Sequence, residues 1–104
     1  MNLQKQVEIL TRAYVRKGGK DNRRQQRARM MAFAAHCEAL GAREMGQMGP
    51  LHVIRYWKAS VGLSDATRYS HWLAIRELWR LAEMPGEPPR PFKAEERQAG
   101  GAAP

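Results

Sequence analysis

Apolar residues recur along this chain at steps of three and four, the spacing that gathers them on one side of a helix, and no stretch alternates as a strand would. The clearest stretch is Leu63 to Met84, LSDATRYSHWLAIRELWRLAEM. Trp72, Ile75, Trp79 and Ala82 form its apolar seam, while Arg68, Ser70, His71 and Arg76 fill the positions between. Ser64 predicts an N-cap with Thr67 at the third helical position, and Asp65 stands in the first turn, where negative charge is favoured.

The rest of the chain divides in the same way. Leu3 to about Lys17 predicts a first helix with Leu3, Val7, Leu10 and Tyr14 on one face, stopped by Gly18-Gly19. Asp21 or Asn22 then caps a second helix that ends at Leu40, with Gly41 just beyond. Its first half, NRRQQRAR, is basic and polar; its second half carries a seam of Met30, Phe33, Cys37 and Leu40. Residues 42–49 form a connection, and Pro50 suits the first turn of a third helix running to about Ser60, with Leu51, Ile54 and Trp57 inward. Prolines 85, 88, 89 and 91 forbid a continued helix and predict an extended segment across the bundle, with Phe92 docked. The expected architecture is all-α: a compact four-helix orthogonal bundle over 1–92, with a flexible C-terminal tail over 93–104 whose composition is too polar to fold alone.

Composition narrows the function. Eighteen Lys and Arg against ten Asp and Glu give a formal net charge of +8, which favours a polyanionic partner. No apolar run approaches the ~18–20 residues that span a bilayer, so no membrane role is expected and the cytoplasm is the default location. Cys37 is the single cysteine and excludes an internal disulfide.

His36, Cys37, His52 and His71 are the candidate soft metal ligands. They lack the paired short spacing of a structural zinc site, and adjacent His36 and Cys37 point about 100° apart on a helix. No metal and no cofactor are expected. Ser60, Ser64 and Ser70 lack a nucleophile elbow, the carboxylates are scattered beside Arg or Lys, and Gly18-Gly19-Lys20 lacks the spacing of a phosphate loop. No enzyme is expected.

The basic residues carry more information. Lys17, Lys20, Arg23, Arg24, Arg27 and Arg29 cluster in sequence, and Arg68, His71 and Arg76 lie on the last helix. If the N-terminal ends of helices two and four lie side by side, these charges merge into one face suited to phosphates, and an exposed helix fits the major groove. Arg23, Arg24 and Arg27 are expected to project into solvent or onto a partner. Trp57, Trp72 and Trp79 fall on seams that core packing explains, which favours duplex DNA over single strands.

The segment LSDATRYSHWLAIRELWRLAEM followed by PGEPPRPF resembles the last part of the core-binding domain of tyrosine recombinases, the phage integrases. That pattern has a capped helix with a Ser-x-x-Thr-like opening, then a Leu-x-Ala-[Ile/Val/Leu]-Arg-x-[Leu/Phe]-[Phe/Trp] run and a proline-containing exit. Here it reads Ser64, Thr67, Trp72 in place of the usual Leu, Ala74, Ile75, Arg76, Leu78 and Trp79. RRQQRARMMAFAAHCEALG is similar to the family's second helix and GPLHVIRYWKAS to its third, so the likeness covers about residues 1–92.

The resemblance implies a four-helix domain of the SAM-like type whose second and fourth helices face the DNA major groove. Carried over, DNA contact falls to Lys20, Arg23, Arg24 and Arg27 on helix two and to Thr67, Arg68, His71 and Arg76 on helix four, with Arg76 on the DNA backbone. The family's catalytic arginines, His-rich motif and nucleophilic tyrosine are not expected: Tyr14, Tyr56 and Tyr69 all sit inside the helices of the binding domain. The expected function is a non-catalytic, duplex-DNA-binding accessory or regulatory factor of a bacterial mobile element, either free-standing or cut from a longer integrase. The competing expectation is a helical module that docks on a protein such as a recombinase, a polymerase or a defence nuclease. A third is an RNA-binding bundle.

Overall fold

The amphipathic stretches form helices in the predicted order. The computed structural model describes residues 2–92, except for the side chain of Lys20; the expected tail over 93–104 lies outside the described residues. Among the described residues the elements are α1 (Leu3–Arg16), α2 (Lys20–Ala39), a 3-10 turn (Met45–Gln47), α3 (Pro50–Ala59) and α4 (Asp65–Leu81), with no strand. The fold is an all-α four-helix bundle. No helix among the described residues is long and apolar enough to cross a membrane.

The helix ends follow local chemistry. The Asn2 side chain accepts from the Lys5 amide at 2.8 Å to cap α1. Ser64 does the same for α4, its Oγ accepting from the Thr67 amide at 3.1 Å. Pro50 stands at the first position of α3, and His52 Nδ1 accepts from the Gly49 amide at 3.2 Å. One cap differs from the sequence reading. The N-cap of α2 is Gly19, at φ 54°, and not Asp21 or Asn22. A left-handed Gly19 turns the chain sharply enough that Lys20 is already helical, which leaves Asp21 in the first turn.

The core is built from Leu3 and Val7 of α1, Met30, Phe33, Ala34 and Cys37 of α2, Val53, Tyr56 and Trp57 of α3, and Trp72, Ala74, Ile75, Leu78 and Trp79 of α4. Phe33 meets Tyr56 edge-on at 5.4 Å and Trp79 at 6.4 Å, so α2, α3 and α4 share one aromatic junction. Six expected seam positions turn outward or only partly inward: Leu51 is 59% exposed, Leu40 is 39% exposed, and Leu10, Tyr14, Ile54 and Ala82 are half-buried. The phase of α3 is set by Tyr56, whose ring packs on Phe33 and whose hydroxyl meets His71; Val53 and Tyr56 turn inward and Leu51 turns out.

After α4 the chain crosses the bundle as predicted, and its anchors are specific. Trp72 Nε1 donates to the Pro88 carbonyl at 3.0 Å and Trp57 Nε1 donates to the Pro89 carbonyl at 2.9 Å. Pro88 is buried, whereas Phe92, expected to dock, is 44% exposed. Glu83 at φ 55° and Gly86 at φ 67° make the reversal that brings this strap back along α4.

Candidate functional site

α2 packs along both α1 and α4, and these contacts decide what its arginines do. Arg27 is half-buried: its Nε donates to Thr11 Oγ1 at 2.9 Å and its Nη2 to the Glu8 carbonyl at 2.8 Å. Thr11 is itself fully buried and donates to the Val7 carbonyl at 2.8 Å. Arg27 is therefore a strut between α1 and α2. Arg23 donates from Nη1 to the Tyr14 carbonyl at 2.8 Å and lies 4.6 Å over the Tyr14 ring. Four arginines early in α2 oppose that helix's own dipole, but the carbonyl end of α1 gains from a cation placed there. Arg24 is exposed and makes no side-chain hydrogen bond among the described residues.

On α4 the sequence-derived set is split more sharply. Arg68, expected on the surface, is 1% exposed and paired with Asp65, and its Nε and Nη1 have no hydrogen-bond partner. It continues the core seam of Trp72, Ile75 and Trp79 one turn toward the N-terminus, which is why it goes inside. Thr67 is half-buried and its hydroxyl accepts from Ser64 at 2.9 Å, so it belongs to the cap. His71 Nδ1 lies 3.0 Å from the Tyr56 hydroxyl. Burial, and then the Arg29 charge, hold His71 below the ordinary histidine range. At neutral pH it is not a cation. Arg76 is exposed, its guanidinium 4.9 Å over the Trp72 ring.

The positive charges meet elsewhere than predicted. Glu77, in the C-terminal half of α4, is held below the usual carboxylate range by its hydrogen bond from Arg80 and by the charges of Arg80, Arg23 and Arg76. Arg80 Nε sits 3.1 Å from both carboxylate oxygens. The start of α2, at Arg23, thus lies near Glu77 in the C-terminal half of α4. The basic cluster is Arg23, Arg76 and Arg80 around Glu77; exposed Arg24 follows Arg23 on α2, about 100° further round the helix. Arg80 was not singled out in the sequence. Its spacing of four from Arg76 on one helical stripe was the available signal.

All three histidines border Tyr56 or one another. His36 meets the Tyr56 ring at 5.1 Å, and the charges of His52 and Arg55 reach it. Burial chiefly, then those two charges, lower its pKa. Its Nε2 is buried without a hydrogen-bond partner, a setting that disfavours a second ring proton. Among the described residues no group of three or more His, Cys, Asp and Glu could hold a metal ion. Burial pushes the Cys37 thiol up to about 12, so no thiolate nucleophile forms near neutral pH.

A pH dependence follows from the two lowered histidines. Unfolded, each takes up a proton near pH ~6.5; folded, each does so lower. Their contribution to stability is complete above ~6.5 and is lost as the pH falls through the folded values. Urea midpoints at about pH 7.5 and about pH 5.5 are expected to show the lower one at acid pH. His71→Gln combined with His36→Gln is expected to flatten the difference. No family model, curated protein or solved structure matches the chain.

Proposed function

We propose that this protein is a non-catalytic duplex-DNA-binding module of the kind its resemblance to recombinase core-binding domains implies. The single observation that carries the proposal is the gathering of Arg23, Arg76 and Arg80 around Glu77, with exposed Arg24 next in sequence on α2, in a chain with net charge +8. Arg24 and Arg76 are exposed, and Arg23 and Arg80 add to the positive field. This face differs from the one expected from the sequence: Arg27, Thr67 and Arg68 serve the fold, and Arg80 enters. The role of accessory or regulatory factor for a mobile element rests on the same resemblance.

Fluorescence anisotropy with a labelled random-sequence duplex tests the reading. Binding at low salt is expected to weaken linearly in log–log form as salt rises, because counterions released from the phosphates must be recaptured. An absence of duplex binding at low salt would sink the proposal and turn attention to a protein partner.

A further inference from the structure

Trp57, Trp72 and Trp79 are taken up by the core, but two other aromatic rings are not. Tyr69 is 48% exposed and Phe92 is 44% exposed. Both line one cleft of about 450 Å³, together with Asp65, Ala66, Arg90 and Pro91. Large aromatic rings left exposed around a single cleft mark a binding surface more specifically than scattered apolar residues do.

The cleft is built from rigid parts. The first turn of α4, capped by Ser64, supplies Asp65 and Ala66, and Tyr69 follows one turn later. The Tyr69 ring is backed by the buried Trp72 ring at 5.6 Å. The opposite wall is the proline-rich strap, fixed by the two indole donors at Pro88 and Pro89. Arg90 is held 4.5 Å over Trp72. Arg76 lies 4.9 Å over that same indole, outside the cleft's lining. Asp65 would repel an anion if it stood alone. Its pairing with buried Arg68 offsets that charge, and a carboxylate has two acceptor oxygens.

We infer that this cleft takes an unpaired nucleobase, stacked on Tyr69 and Phe92 with its phosphate toward Arg90. Flat aromatic rings, a flanking arginine and a hydrogen-bond acceptor are the elements by which single strands are held. Cytosine suits Asp65, because its N4 amino group donates to a carboxylate. The inference rests on the nucleic-acid reading above and adds to it a contact that an intact duplex does not supply. A module with both features binds where duplex meets an open or extruded strand.

Anisotropy with a short single-stranded oligodeoxycytidine, run beside an equal-length duplex, tests this on the full chain. Tyr69→Ala and Phe92→Ala are each expected to weaken single-strand binding about 5- to 150-fold and to leave duplex affinity unchanged. Tyr69→Phe keeps the ring and is expected to bind as wild type. Circular dichroism confirms that the variants keep their helices, which the exposure of both rings favours. Unchanged single-strand affinity in both alanine variants, or no binding of the oligomer by wild type, would overturn the inference. Single-strand binding that is lost in the variants, with no duplex binding at all, would remove the duplex reading and leave the cleft standing.

Discussion

Trp72→Ala is expected to leave the chain at the edge of unfolding. The side chain is fully buried, and removing a ring of this size from a core costs about 3–5 kcal/mol. Small domains have only about 5–15 kcal/mol in total, and one of this length lies toward the lower end. The loss here extends beyond the cavity. Trp72 is the donor that holds the Pro88 carbonyl, the surface on which Arg76 and Arg90 lie, and the backing of Tyr69. Its removal frees the strap from one of its two indole anchors and leaves the buried Pro88 carbonyl without that donor. Trp72→Phe separates these effects. It keeps most of the apolar volume but drops the indole N–H, and is expected to cost about 1–3 kcal/mol for the orphaned carbonyl and residual void. Urea unfolding followed by far-ultraviolet circular dichroism measures both. An alanine variant within about 1 kcal/mol of wild type would show that the strap and this indole are peripheral to the fold.

How far the sequence disclosed this arrangement depended on the range of the interaction involved. Ser64, Pro50, Gly18-Gly19 and Gly41 act within a turn of where they stand, and each marks a helix boundary where its local chemistry required one. The aromatic seam of α4 was equally legible, since Trp72, Ile75 and Trp79 repeat at helical spacing whatever packs against them. The roles of the arginines were not. Arg27 finds its acceptors sixteen and nineteen residues upstream, at Thr11 and Glu8, and no local pattern announces such a pairing. Arg68 sits on the core stripe with Asp65 three residues before it, so the pairing was readable. Its burial depended on what else packs around the start of α4. Arginines stay outside as a rule, but the helical phase of this one points inward. Tyr69 and Phe92 show the same limit. They lie on different segments, and only the return of the strap over α4 brings them to one cleft.

Removing the basic face is expected to have the largest effect on function with little effect on the fold. In the variant Arg24→Gln, Arg76→Gln, Arg80→Gln, three cations are lost from exposed positions. If each neutralises one phosphate, the slope of log affinity against log salt falls by about 0.9 for each, or about 2.7 together. At a salt concentration of about 0.1 M this corresponds to roughly tenfold per contact, or about 10²- to 10³-fold for the triple variant. Stability is expected to stay close to wild type, since Arg80 bridges Glu77 at the surface and such pairs contribute little. Arg27→Gln is the opposite case. It removes the strut from Arg27 to Thr11 and the Glu8 carbonyl, and is expected to lower the urea midpoint while leaving the salt slope of the folded protein unchanged. The contrast between the two variants decides between a charge that recognises a partner and one that holds helices together. A triple variant with the wild-type slope would mean that duplex contact lies on another surface. A shallower slope in Arg27→Gln, with its fold intact, would return Arg27 to the interface.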